Sequence, residues 1–139
     1  MIGVCREIPV VRGDGVNSQA PFVLTADRIV AEHARMNVLA NLLTFKAAVI
    51  EGMNIARSAD GVTLSIRSGG RVSVGETKIQ ATVLRNLASI GSFRSKRDVI
   101  VLLAGGAIPK LELSRVELMI DGYLMTSYAE IPAMRLEVV

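Results

Sequence analysis

The sequence predicts an α+β domain in which one long central helix is packed on, or wrapped by, a largely antiparallel sheet of six to eight strands. Three observations predict it. Apolar residues recur every seven positions at Ile29, Met36, Leu43 and Ile50, a helical spacing. After Gly61 the period falls to two. Strands and helices do not alternate regularly, which argues against a doubly wound nucleotide-binding sheet. A chain of 139 residues suits a single hydrophobic core, with residues 1–24 as an extended N-terminal arm or strand and 25–139 as the domain.

In order along the chain, Ile2 to Val11 is rich in β-branched residues, and Pro9 marks an edge or a break because proline cannot donate to a central ladder. Arg12-Gly13-Asp14-Gly15 is turn chemistry; its Arg-Gly-Asp triplet, also an integrin-binding motif, reads as a turn. The central helix is expected from about Ala26 to Arg57, with Thr25 as its N-cap and Asp27 facing the positive end of the dipole. His33, Ala40 and Ala47 fill the same stripe, and Gly52 is the place for a bend. Between Val38 and Ile50 only Asn41, Thr44 and Lys46 are polar, so this half should be covered on most sides.

Val62, Leu64 and Ile66 alternate with polar residues, Ser68-Gly69-Gly70 turns the chain, and Val72 and Val74 resume the alternation: a hairpin. Lys78 to Leu84 reads as another strand, and the apolar run from Asp98 to Leu103 as a strand buried on both sides. Leu111 and Leu113 begin a further strand. Asp121-Gly122 then interrupts Val116 to Met125 and predicts a second hairpin, while Met134, Leu136 and Val138 close the chain.

Composition narrows the function classes. Hydrophobic residues make up 50% and charged residues 21%, with a mean hydropathy of +0.43, so the chain is not intrinsically disordered. The longest apolar candidate, Val38 to Ile50, is shorter than a membrane span and carries Asn41 and Lys46. No basic stretch followed by an apolar one begins the chain, so a cytoplasmic location or an assembled particle is expected rather than secretion. One cysteine, Cys5, excludes an intrachain disulfide and a cysteine-based zinc cluster. The net charge of +3 is neutral as a guide to partners.

Residues able to carry chemistry are few. His33 is the only histidine and reads as a packed residue; Glu32 and Glu51 are weak candidates for a lone acid or base. No metal motif and no cofactor fingerprint is present. Arg85, Arg94, Lys96 and Arg97 fall in a short segment with several hydroxyls and Phe93, a candidate contact for phosphate or single-stranded nucleic acid.

The leading expectation is a non-catalytic structural subunit that associates with itself into a ring, tube or shell, in outline similar to small components of phage-type particles. Val99, Val101, Leu103, Leu118, Ile120 and Leu124 are its expected interface. Burying about 800 Å² of apolar surface per subunit is worth on the order of 20 kcal/mol before association costs. The alternative is an acyl-thioester-binding enzyme: the run from Arg71 to Val83 resembles the strand pattern of hot-dog proteins, and that resemblance implies a helix wrapped by an antiparallel sheet. Nucleic-acid contact through the Arg85–Arg97 segment is the second alternative, and no membrane partner is expected.

Overall fold

The chain from Phe22 to Ala59 is not a helix but two long antiparallel strands, and the reason lies in where its apolar residues fall. In the computed structural model, which describes residues 4–13, 16–19, 21–59 and 61–138 (backbone course alone for 4–19 and 59), the buried positions of β3 (Phe22–Asn37) are 22, 24, 26, 29, 31, 34 and 36. The step is two, as in any strand, except across Asp27-Arg28 and Glu32-His33, where it is three. Steps of two, three and two add one heptad. The same pattern returns in β4 (Leu42–Phe45), β5 (Ala47–Glu51) and Met53. Met36 pairs with Leu43 and Ile29 with Ile50, so the apparent helical stripe consists of cross-strand neighbours pointing into one core.

Along β3, the segments β4, β5 and β6 (Asn54–Ala59) keep one register from Asn37↔Leu42 to Val23↔Ala56 and act as a single strand. They pair in turn with β9 (Thr77–Gln80), β8 (Arg71–Val74) and β7 (Val62–Ser68). Those pair with β12 (Tyr123–Thr126) and β13 (Ala129–Val138), which carry β2 (Val16–Gln19) and β1 (Val4–Gly13) on their far side. On the other flank, β3 pairs with β11 (Ile108–Ile120), and β11 with the two-residue β10 (Ser92–Phe93). Among the described residues, all thirteen strands belong to one antiparallel sheet.

Two creases cross this sheet. At the first, pairing lapses at Pro109, His33, Lys46, Gly75-Glu76 and Ser127-Tyr128. At the second it lapses at Arg115, Asp27, Gly52-Met53, Gly69-Gly70 and Ala133. Positive φ marks both lines: 52° at His33 on the first, and 52° at Arg115, 65° at Gly52 and 49° at Ala133 on the second. At Gly52 a Cβ would collide with the Asp27 carboxylate, so glycine is required twice over.

The creases roll the sheet up. Ile120 pairs with Phe22 at the start of β3, whereas Tyr123 pairs with Gln80 at the end of β9. The intervening Asp121-Gly122 link reaches at most about 11 Å. Opposite corners of the sheet must therefore meet. Gly122 lies so close to the Gln80 carbonyl that no side chain fits there, and the Thr82 N–H donates to Asp121 Oδ1 at 2.8 Å across the junction. Leu24, Ile50, Val72, Ile79, Leu113 and Leu118 face one another inside, around an apolar void of about 100 Å³. Two buried hydroxyls serve the first crease from within. Thr126 Oγ1 donates to the Tyr128 carbonyl at 2.9 Å, and Thr77 Oγ1 lies 2.9 Å from the Gly75 carbonyl.

The expected α+β architecture is thus corrected to a rolled antiparallel sheet with one short helix. That helix, α1 (Lys96–Leu103), occupies the run expected to be a buried strand: Ser95 caps it by accepting from the Arg97 N–H at 3.1 Å, and Asp98 lies in its first turn. Asp121-Gly122 does turn the chain, but into a corner: β11 and β12 pair with other strands. The strand expected to reach Leu84 ends at Gln80, and two 3₁₀ turns (Thr82–Arg85 and Leu87–Ser89) follow. The helix that the hot-dog resemblance implied is absent among the described residues.

Candidate functional site

The first crease opens an outward-facing cavity of about 390 Å³, lined by His33, Arg35, Thr44, Phe45, Lys46, Glu76 and Ala107. Register brings these together. Arg35 pairs with Thr44, Phe45 pairs with Thr77, and Lys46 and Glu76 are the next residues beyond that pair. Phe45, 6% exposed, also lines the interior void and so separates it from the cavity. The backbone is fixed around the site: the Lys46 N–H donates to the Glu32 carbonyl at 2.9 Å and the Ser127 N–H to the Glu76 carbonyl at 2.8 Å. His33 is held at positive φ in mid-strand, a conformation that costs a non-glycine residue of order 1–3 kcal/mol and recurs where side chains are re-aimed for a purpose.

Charge is distributed unevenly over the outer surface. Between the two creases, two acids are matched with bases: Arg71 Nε lies 3.2 Å from Glu51, and Glu112 gathers Arg28 at 3.2 Å, Arg94 at 3.3 Å and Lys110 at 3.7 Å. The hydrogen-bonded Arg28 guanidinium, with the charges of Arg94 and Lys110, outweighs partial burial and holds the Glu112 carboxyl below the usual carboxylate range. Asp121 is lowered too, chiefly by hydrogen bonds from Thr82. In the crease cavity, by contrast, Arg35, Lys46 and Glu76 form no ion pair among the described residues.

The residues singled out from sequence are scattered. His33 lies in the cavity; Glu32 is exposed on β3 opposite Ala47 and Lys110; Glu51 is engaged by Arg71. Arg94 is drawn to Glu112, Arg85 acts on Asp121, and Lys96 and Arg97 are exposed at the start of α1, so the four basic residues serve different parts of the surface. Leu118 and Ile120 are buried in the core, and Val99, Val101 and Leu124 pack partly buried against it; of the expected interface set Leu103 is exposed. The side chain of Cys5 lies outside the described residues. Arg35, Thr44, Lys46 and Glu76 carry no motif, and only strand register reveals their grouping.

Among the described residues, no three His, Cys, Asp or Glu side chains are placed to hold a metal ion, and no helix is long and apolar enough to cross a membrane. Compared with protein-family models, curated proteins and solved structures, the chain matches none of them.

Proposed function

We propose that the chain is a non-catalytic structural subunit that forms homo-oligomers by pairing the free edge of its sheet with that of a second copy. One observation carries this reading. The ten-residue β1 and four-residue β2 hydrogen-bond to β13 and β12 on one side and to no strand on the other, among the described residues. A long edge of unpaired N–H and C=O groups is a template for another strand. Antiparallel pairing of β1 with its own copy about a two-fold axis satisfies both edges with one geometry. Met125 on β12 and Tyr128 in the link between β12 and β13 are exposed and supply apolar surface beside the ladder. The association therefore needs no apolar strand faces: Leu118, Ile120 and Leu124 turn inward.

Light scattering on a size-exclusion column tests it. An oligomer that dissociates on dilution is expected, and a monomer at every concentration overturns the reading. Cys5→Pro and Arg6→Pro sharpen the test. Neighbouring residues of an edge strand point their N–H groups alternately inward and outward. One of the two variants should lower thermal stability, whereas the other should leave the subunit folded but monomeric.

A further inference from the structure

We infer that the crease cavity binds a small phosphomonoester, its phosphate held by Arg35, Lys46 and His33 and its hydroxyl or amine by Glu76. Four observations converge on the site. The cavity, about 390 Å³, falls within the range of small-molecule sites. It carries two cations and an imidazole against one carboxylate. Neither Arg35 nor Lys46 forms an ion pair among the described residues, whereas Glu51 and Glu112 each hold a base. His33 stands at positive φ on the line where the strands bend.

The chemistry selects the ligand. A guanidinium offers a planar fork of donors and an ammonium three more, which together suit a tetrahedral dianion better than a single carboxylate. The imidazole contributes an N–H donor even when neutral. Glu76 would repel a bare anion, so its presence favours a ligand whose uncharged or cationic end carries donors. Phe45 provides an apolar floor for the carbon atoms between the two ends. Because the cavity lies on β3, β4 and the turn before β9, away from β1 and β2, this site is independent of the self-association proposed above.

The test is an amide and side-chain NMR titration at constant ionic strength with inorganic phosphate, glycerol phosphate and, as neutral control, glycerol. Saturable shifts confined to the neighbourhood of residues 33, 35, 44–46, 76 and 107 are expected for the two phosphates and none for glycerol. Lys46→Gln and Arg35→Gln, both exposed side chains, should each weaken binding about tenfold, the loss of one charge-assisted contact. Glu76→Gln should tighten inorganic phosphate and weaken glycerol phosphate, which separates recognition of the whole ester from capture of free phosphate. Equal shifts at Lys78, Arg94, Lys96 and Arg97, unaffected by Lys46→Gln, would overturn the inference, as would a response confined to single-stranded oligonucleotide or no saturation across the millimolar range.

Discussion

The two edges of the rolled sheet are finished in opposite ways. Beyond β11 the chain lays down a cover: the 3₁₀ turns bury Leu84, Leu87 and Ile90, the Glu117 N–H donates to the Ile90 carbonyl at 2.8 Å, and the Arg94 N–H donates to the Glu112 carbonyl at 3.2 Å. Beyond β13 and β12 lies only the N-terminal ribbon, with no strand outside it among the described residues. Both edges present the same backbone chemistry, so covering one of them requires residues devoted to the task. The residues between Ala81 and Ser95 serve it with a triplet of buried apolar side chains at spacing three and exposed residues between. An edge without such a cover remains competent to pair.

Uncovering the finished edge should have the largest effect. Leu84 is fully buried and anchors the cover against the core. Leu84→Ala is expected to cost about 2–5 kcal/mol, the range for emptying a leucine site in a packed interior. Urea denaturation measures the loss. If the cover truly protects β11, the variant should also aggregate through this second edge, whereas a loss of stability without new association would show that the cover serves packing alone.

How legible this was in the sequence depends on which physical signal each element used. The strands at Val62–Ser68 and Arg71–Val74 alternate apolar and polar residues, so periodicity finds them, but the hairpin expected between them is corrected: Gly69-Gly70 is a crease, and the two segments pair with β6 and β5 and not with each other. β3 to β5 alternate with two resets, and a two-three-two spacing imitates a heptad; nothing local separates the two readings. A clue was present in the polar pairs Asp27-Arg28 and Glu32-His33, which are adjacent residues exposed together, a feature of a strand bending rather than of a helix. The run from Val99 to Leu103 looks like a strand because it is apolar, yet Ser95 and Asp98 supply a cap and a dipole partner that outweigh it. Of the candidate site only His33 could be singled out, by being unique. Arg35, Lys46 and Glu76 meet through register across three strands, which no linear spacing encodes.

A smaller effect is expected from acid. Two carboxylates fasten the cover at its ends: Asp121 accepts from Thr82, and Glu112 holds Arg94. Both have folded values below their ordinary ones, so their stabilisation is complete above the usual carboxylate pKa, about 4, and is lost as pH falls through the lower folded values. The urea midpoint should therefore fall as the pH drops below about 4, and Asp121→Asn with Glu112→Gln should flatten that fall. An unchanged slope in the double variant would assign the acid sensitivity elsewhere and leave the cover held by its leucines and isoleucine alone.

The smallest effect is expected at Leu39, which is 98% exposed at the tip of the turn between β3 and β4 and belongs to neither edge. The turn is held by backbone and side-chain groups instead: the Asn41 N–H donates to the Val38 carbonyl, the Ala40 N–H to Asn37 Oδ1 at 3.2 Å, and Gln80 Nε2 to the Ala40 carbonyl at 3.2 Å. Leu39→Ser should leave stability within about 0.5 kcal/mol of the original. It should also leave the oligomer intact, because edge pairing through β1 makes no use of this tip. Dissociation by Leu39→Ser would move the contact from the open edge to the hairpin end, and the contrast between the two edges would then cease to explain assembly.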